Sequence, residues 1–405
     1  MSSTPALRNF FHPVDPAEIA GAALQDQRLF RKTDRAAAFA RLLPWERLNT
    51  LITGDALMSG RISLARLGRT LPLEMASLPG RPKTGDWVAP EAIHNLCQQG
   101  ASLVINSIER QVPAIAAMNA MIERFLRCET ITNAYVSFNR DSAFKAHFDP
   151  HNVLILQLHG RKRWWCYGQK DAYPLAGKSF ADDQLPAAEW EGVLEPGDLL
   201  FVPRGDVHRA CVEDANSVHL TVTMTPPCGA DVFARLAQQA LGEERGRRYL
   251  RAVGNPQARQ EDGDALRDMF HRMVDALDVE AFLADADRLR PAARPFNLGL
   301  LQSLSPQTEV QPSLRRRIDL PQVQIGEVRV MIGGTTVTLT GAERDVLAAL
   351  LAADALTVAE LEAALPGCEV HAAVAGLARK ALVFLFSATQ TTAILPLGDA
   401  HGEKC

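Results

Sequence analysis

The segment "AHFDPHNVLILQLHGRKRWW", residues 146–165, sets His147 and Asp149 two positions apart, just before an apolar run. On an extended strand, residues i and i+2 share a face. An imidazole nitrogen and a carboxylate oxygen therefore reach one point, while Phe148 turns to the other side. That pair can hold a metal ion if a third donor arrives from elsewhere. The stretch "LEPGDLLFVPRGDVHRA" supplies one, as a strand, the tight turn "RGD", and then His208. His219, on the strand that follows, is a rival donor in a possible hairpin with His208. Two histidines and one carboxylate leave three positions open on an octahedral metal, the pattern of non-haem iron(II) oxygenases.

Lys162 adds a second chemical element. Alternation along "RKRWWCY" puts Lys162, Trp164 and Cys166 on one face and Arg161, Arg163 and Trp165 on the other. A cation between an apolar strand and two tryptophans is costly to bury without an anion. Iron oxygenases of this kind draw electrons from a 2-oxoacid, whose far carboxylate would be that anion. The competing reading sends the Lys162 ammonium to solvent at the sheet edge. Asn133 and Tyr135 share a face of the preceding strand and can add an amide and a phenol to the same pocket. A buried tyrosine satisfied by backbone is the plainer alternative.

The elements that must position these groups follow from periodicity. Residues 1–128 read as mainly helical with short strands. "AAAFARLLPWERLNTLI" and "VPAIAAMNAMIERFL" are apolar at helical spacing, and Ile115, Met118, Ile122 and Phe125 form a buried stripe. From about residue 130 the period becomes that of strands, in "ITNAYVSF", "NVLILQL", "KRWWCY", "GDLLFVP" and "SVHLTVTM". Short strands with no helix between them predict an antiparallel barrel or sandwich. After "TPPCG" the pattern returns to helix, and residues 290–312 read as a connection. Short strands near 323–330 and 336–339, three small helices and a terminal hairpin then outline a winged-helix-like module.

Composition excludes several classes. The chain has 405 residues, 47% apolar and 22% charged, with a formal net charge of -4. Global disorder and bulk electrostatic binding to nucleic acid are therefore not expected. The basic runs at 244–251 and 315–317 read as solvated helix ends or linker. The third C-terminal helix, "EVHAAVAGLARK", is poorly equipped for phosphate contacts, so direct nucleic-acid binding is not expected. Seven cysteines without a CxxC pair outline neither a zinc ribbon nor a disulfide framework. No apolar run approaches a bilayer span and no secretory signal is visible, so the expected compartment is cytoplasmic.

Taken together, "ASLVINSIERQVPAIAAMNAMIE", "NAYVSFNRDSAFKAHFDPHNVLILQLHGRKRWWCYG" and "LEPGDLLFVPRGDVHRA" closely resemble the JmjC ribosomal oxygenases of the cupin-4 group. That group includes a bacterial arginine hydroxylase of a ribosomal protein and human nucleolar histidyl hydroxylases. The likeness covers roughly residues 30–225 and extends more loosely to a helical dimerisation region and a C-terminal winged helix. It implies a mixed α and β fold, a double-stranded β-helix of the cupin/JmjC jelly-roll type. The implied units are 1–228 (catalytic, with an N-terminal helical elaboration), 229–310 (helical dimerisation) and 311–405 (winged-helix-like). His147, Asp149 and His208 match the iron triad, and Lys162 the residue holding the 2-oxoglutarate C5 carboxylate. Asn133 and Tyr135 match the family's "NxY" strand, and "PRGDVHRA" matches "PRGxxHxA" at every fixed position. One departure is the loop "SFNRDSAFKAHFD", which replaces a Gly- or Pro-rich segment and places Arg140, Asp141 and Lys145 at the pocket mouth.

The expected function is thus an oxygenase using Fe(II), 2-oxoglutarate and O2 to hydroxylate a protein side chain, an arginine or histidine of a ribosomal protein. Histone-type N-methyl-lysine demethylation, hydroxylation of a non-ribosomal peptide or small molecule, and a non-enzymatic cupin-like binding module are the alternatives. A DNA-binding regulator is discounted by the weak charge of the C-terminal module. The helices between 230 and 290 carry Phe270, Met273, Val274, Leu277, Phe282 and Leu289, more apolar surface than a lone hairpin buries. They predict a homodimer.

Overall fold

The computed structural model describes residues 3–53, 61–76, 89–138, 143–251, 253, 255–299, 304–321 and 326–387. Among these, eleven strands join one sheet. They are β1 (Leu29–Arg31), β2 (Ile62–Arg66), β3 (Arg69–Leu71), β4 (Ser102–Ile105), β5 (Glu129–Ser137) and β6 (His147–Phe148). The remainder are β7 (Asn152–Gln169), β8 (Lys178–Ser179), β9 (Trp190–Leu194), β10 (Leu199–Val202) and β11 (Asp206–Thr225). The main path runs β1-β10-β7-β11-β5-β4-β2-β3, with β6 and β8 added beside β11 and β9 beside β7. All the pairings are antiparallel. This curled antiparallel sheet is the expected barrel.

Two strands organise it. "NVLILQL" and "KRWWCY" form one strand, β7, that bends at Gly160, where φ is +63°. A Cβ at Gly160 would sit 1.9 Å from the carbonyl oxygen of Asn216, so only glycine fits. Opposite it, the β11 register shifts between Val212 and Ser217, so both strands pass from one sheet layer to the other. His208 and His219 therefore lie on the same strand, not on the two arms of a hairpin.

The helix Pro113–Leu126 packs against β5. It starts with proline at its first turn and buries Ile115, Met118, Ile122 and Phe125, the stripe read from spacing. "AAAFARLLPWERLNTLI" is two helices, Ala36–Leu42 and Trp45–Thr53, because Pro44 between them cannot continue a helix. Together with Phe10, Phe39 and Leu43, these elements cover one layer of the sheet with a continuous apolar core.

Helices follow at Gly229–Ala240, Pro256–Asp275 and Val279–Leu289. The C-terminal part has the three expected helices, Gly341–Ala353, Val358–Ala364 and Val370–Arg379, on their own apolar core. The two strands before them, Glu327–Ile332 and Thr335–Thr340, pair as a hairpin. Val383–Phe386 pairs with Glu309–Pro312, and residues 388–405, where the expected terminal hairpin would finish, lie outside the described residues.

The arginine run at 315–317 is not a solvated linker. Arg316 is buried and donates to the Glu123 carboxylate at 2.9 Å, and Arg290 reaches the same carboxylate at 2.8 Å. A fully buried glutamate requires cationic partners, and the run supplies one. No described helix is long and apolar enough to cross a membrane.

Candidate metal centre

His147, Asp149 and His208 converge, each offering a ligand atom within 4.8 Å of the others. The strand register brings His147 directly opposite His208. His208 Nε2 lies 3.8 Å from one Asp149 oxygen, and His147 Nε2 lies 4.0 Å from the other. Each imidazole is oriented from behind. His147 Nδ1 sits 2.9 Å from the Lys145 carbonyl and His208 Nδ1 sits 2.9 Å from the Asp206 carbonyl. With each Nδ1–H donated to a carbonyl, each Nε2 presents a lone pair to the shared point, as metal-ligating histidines do. Burial, reinforced by the neighbouring His147, pushes the His208 pKa down to about 4, so its ring stays neutral and able to ligate.

The turn before His208 explains the placement. Gly205 has φ +73°, and a Cβ there would meet the Asp171 carbonyl oxygen at 1.6 Å. Its N–H donates to the Asp149 carbonyl at 2.9 Å, tying the turn to the HxD segment. The buried Asp206 carboxylate accepts from Arg28 Nη2 at 2.8 Å and from Nε at 3.0 Å. Burial pushes the Asp206 carboxyl up despite that partner.

The triad opens on a cavity of about 130 Å³ whose wall also includes Tyr135, Ser137, Lys162, Trp164, His219 and Thr221. Lys162 is buried, and burial lowers its pKa to about 8. Its Nζ donates to Ser137 Oγ at 3.2 Å, and among the described residues no carboxylate pairs with it. The edge-exposed alternative for Lys162 is thus replaced by a cation facing a cavity. Tyr135 lines the cavity, with its phenol pushed up to about 12 by burial and by Asp149. Asn133 stands behind it. Its Oδ1 accepts from the Ser107 N–H at 3.0 Å, and its side chain also bonds Tyr135.

His219 lines the same cavity but does not join the ligand cluster. Its ring stacks on Tyr135 at 4.8 Å and meets Trp164 edge-on at 5.5 Å. Burial and the nearby Lys162 hold its pKa well below the usual value. Of the expected mouth residues, Lys145 lines a neighbouring depression rather than the cavity itself, whereas Arg140 and Asp141 lie outside the described residues. Ser137 and Thr221 were missed by the sequence reading. Ser137 follows Asn133 and Tyr135 at the same two-residue period, and that spacing is the signal that reveals it.

Two imidazoles and a carboxylate suit a divalent first-row metal such as iron(II), and their remaining side faces the cavity that holds Lys162. The donor set thus fits that metal, and Lys162 fits an anionic companion.

Residues 105–232 match the family model of the JmjC domain. The chain is 28% identical over 162 residues to the bifunctional lysine-specific demethylase and histidyl-hydroxylase NO66 of Aedes aegypti, covering 38% of this chain and 26% of that protein. It is 30% identical over 155 residues to ribosomal oxygenase 1 of Rattus norvegicus, covering 37% of this chain and 25% of that one. The chain thus spans about a quarter of the length of these relatives. Its fold is that of the ribosomal oxygenase YcfD from Escherichia coli, solved with cobalt and succinic acid. The TM-score is 0.52 at 18% identity, with 93% of this chain and 99% of that one covered.

Proposed function

We propose that this protein is an Fe(II)- and 2-oxoglutarate-dependent oxygenase that hydroxylates a protein side chain, an arginine or a histidine of a ribosomal protein. The observation that carries the reading is the convergence of His147, Asp149 and His208 on the cavity that also holds Lys162. Relatives named as a histidyl-hydroxylase and a ribosomal oxygenase support the substrate class.

Iron held by the triad, with O2 and 2-oxoglutarate, supplies the oxidation that puts one oxygen atom into a C–H bond while 2-oxoglutarate becomes succinate and carbon dioxide. The chain's own residues do the positioning. Lys162, steadied by Ser137, would receive the far carboxylate of the cosubstrate, supplying the anion that its burial requires. Tyr135, held by Asn133, fixes the adjacent wall and presents its phenol to the same ligand. The apolar Val153, Ile155 and Trp164 exclude water from the space between them.

The same reading assigns 1–228 to catalysis, 229–310 to a homodimer interface and 311–405 to a winged-helix-like unit that faces protein rather than nucleic acid. The exposed Phe270, Val274, Leu277 and Leu289 support the dimer. The compartment assigned is the cytoplasm, where ribosomal proteins are at hand.

The test is intact-mass and fragment analysis of ribosomal proteins from cells with and without the gene. One residue gains the mass of one oxygen atom when the active protein is present, and His147→Ala does not restore it. Formaldehyde release from a methyl-lysine peptide, without such a gain, would instead assign N-demethylation.

A further inference from the structure

A second depression, of about 390 Å³, adjoins the metal cavity and shares Phe144 and Arg209 with it. One wall is the β2–β3 turn, Leu67 and Gly68, with Lys145 lying along it. The other is the Phe180–Asp182 segment.

Two cationic side chains lie on these walls, Lys145 and Arg209. The Lys145 stem crosses Gly68 so closely that a Cβ there would sit 2.5 Å from Lys145 Cγ. The Gly68 N–H also donates to the Ala143 carbonyl at 3.0 Å, fixing the turn to the segment that carries Lys145. Arg209 follows the third triad residue and places its guanidinium 4.9 Å from the Trp165 ring centre and 5.8 Å from that of Tyr167. Stacking of this kind holds the charge without consuming its hydrogen bonds. Among the described residues, Arg209 Nε is buried with no partner. Its anionic contact among the described residues is a single 3.3 Å bond from Nη1 to Asp182, a carboxylate whose side chain is 81% exposed. Such a pair is weak and easily exchanged.

Among the described lining residues, Lys145 and Arg209 face one loosely engaged carboxylate, Asp182, and the site carries a surplus of positive charge. We propose that this groove seats the substrate chain beside the metal cavity, and that Lys145 and Arg209 select a segment with an aspartate or glutamate flanking the target residue. Asp182 occupies Arg209 in the free protein and gives way to the substrate carboxylate. This rests on the protein-hydroxylase reading and names a local feature of its substrate, an acid close to the target within a protein of any net charge.

The test uses two peptide pools, one with a fixed central histidine and one with a fixed central arginine, each randomised at the flanking positions. Peptides that gain one oxygen atom are sequenced for the parent and for Lys145→Glu, Arg209→Glu and Asp182→Asn. KM is then measured for two peptides differing only by Glu or Gln at the enriched position. The parent enriches an acid at one flanking position and prefers the Glu peptide by about fivefold, the scale of one partly exposed charge pair. Either charge reversal abolishes or inverts that preference. Asp182→Asn lowers KM for the Glu peptide alone, a gain that a merely structural role of an exposed side chain would not give. Hydroxylation with no acidic preference, or a preference unchanged by both reversals, overturns the proposal and leaves the hydroxylase intact. If no peptide gains oxygen and no succinate forms, the hydroxylase reading itself fails, and this proposal fails with it.

Discussion

His208 donates from Nδ1 to the backbone carbonyl of Asp206 at 2.9 Å, and Asp206 is in turn held through its side chain by Arg28 at 2.8 Å. The third metal donor is thus aimed by a turn whose own position depends on a residue from the N-terminal helical region. Replacing Arg28 with methionine keeps much of the bulk but leaves Asp206 buried and unpaired. Iron affinity should fall by about tenfold, the lower end of what outer-shell partners contribute. Arg28→Lys should recover part of it. Isothermal titration with Fe(II) under anaerobic conditions, beside a thermal melt, separates this from general unfolding. Unchanged affinity in a folded Arg28→Met protein would remove Arg28 from the chain of support.

The ligand set makes a sharper forecast. His208→Ala should lose both stoichiometric iron and succinate production, since two donors on an otherwise open site bind weakly. His219→Ala should keep its iron, because His219 lies outside the cluster. Metal content by atomic absorption decides the matter, and the opposite pattern in the two variants would exchange their roles.

Lys162 should set cosubstrate affinity without affecting iron. Truncating a buried charged hydrogen bond to an anion costs about 2–5 kcal/mol, so Lys162→Ala should raise the 2-oxoglutarate requirement at least about thirtyfold. A pH signature accompanies it. Burial sets the free Lys162 at about 8, and a bound carboxylate raises that value. Cosubstrate binding therefore takes up a proton above pH 8 and weakens as pH rises, whereas below pH 8 this term is flat. Lys162→Arg, which stays charged, should lose that slope. Equal affinity in parent and Lys162→Ala would return Lys162 to the role of an edge residue.

The helical region should form a homodimer. Phe270, Val274, Leu277 and Leu289 are all more than two-fifths exposed in the single chain. A depression of about 440 Å³ lies beside them, lined by Leu236, Met269, Met273 and Phe282. Light scattering at micromolar concentration should report twice the 44.2 kDa chain mass. Val274→Glu should shift it to the monomer, and a monomeric parent refutes the dimer.

Both the antiparallel barrel and the candidate donors His147, Asp149 and His208 were legible in the sequence. His147 and Asp149 were legible because strand alternation alone puts them together, and His208 because a glycine turn marks the strand start. Whether His208 or His219 completes the set was not, since both lie on β11 and only its register against β6 and β7 chooses between them. Arg28 was invisible for a related reason. It meets Asp206 across 178 residues, and nothing local in either segment announces the pair. The arginine run at 315–317 misled because charge runs are usually solvated, and only the fold reveals the carboxylate waiting for Arg316.

That carboxylate, Glu123, makes the last prediction. It is fully buried in the helix Pro113–Leu126 and accepts from Arg290, from Arg316 and from the Thr130 hydroxyl. It thereby ties the end of the helix Val279–Leu289 and the segment around Arg316 to the element packed on β5. Burial alone would raise its carboxyl, yet the bond and charge of Arg290, with Arg315, bring it below the usual value. A carboxyl lowered in the folded state contributes stability above its unfolded pKa and loses it as pH falls through the folded one. The protein should therefore lose stability on acidification below the ordinary carboxylate range. Glu123→Gln should remove that component while destabilising the fold at neutral pH by about 3–5 kcal/mol, because buried arginines are left without their anion. Urea unfolding at neutral and acid pH for both proteins measures the difference. If the two proteins lose stability equally on acidification, Glu123 is not the group being protonated. The Arg290–Arg316 cluster would then be held by its other contacts, among them the Arg316–Asp287 ion pair at 3.0 Å.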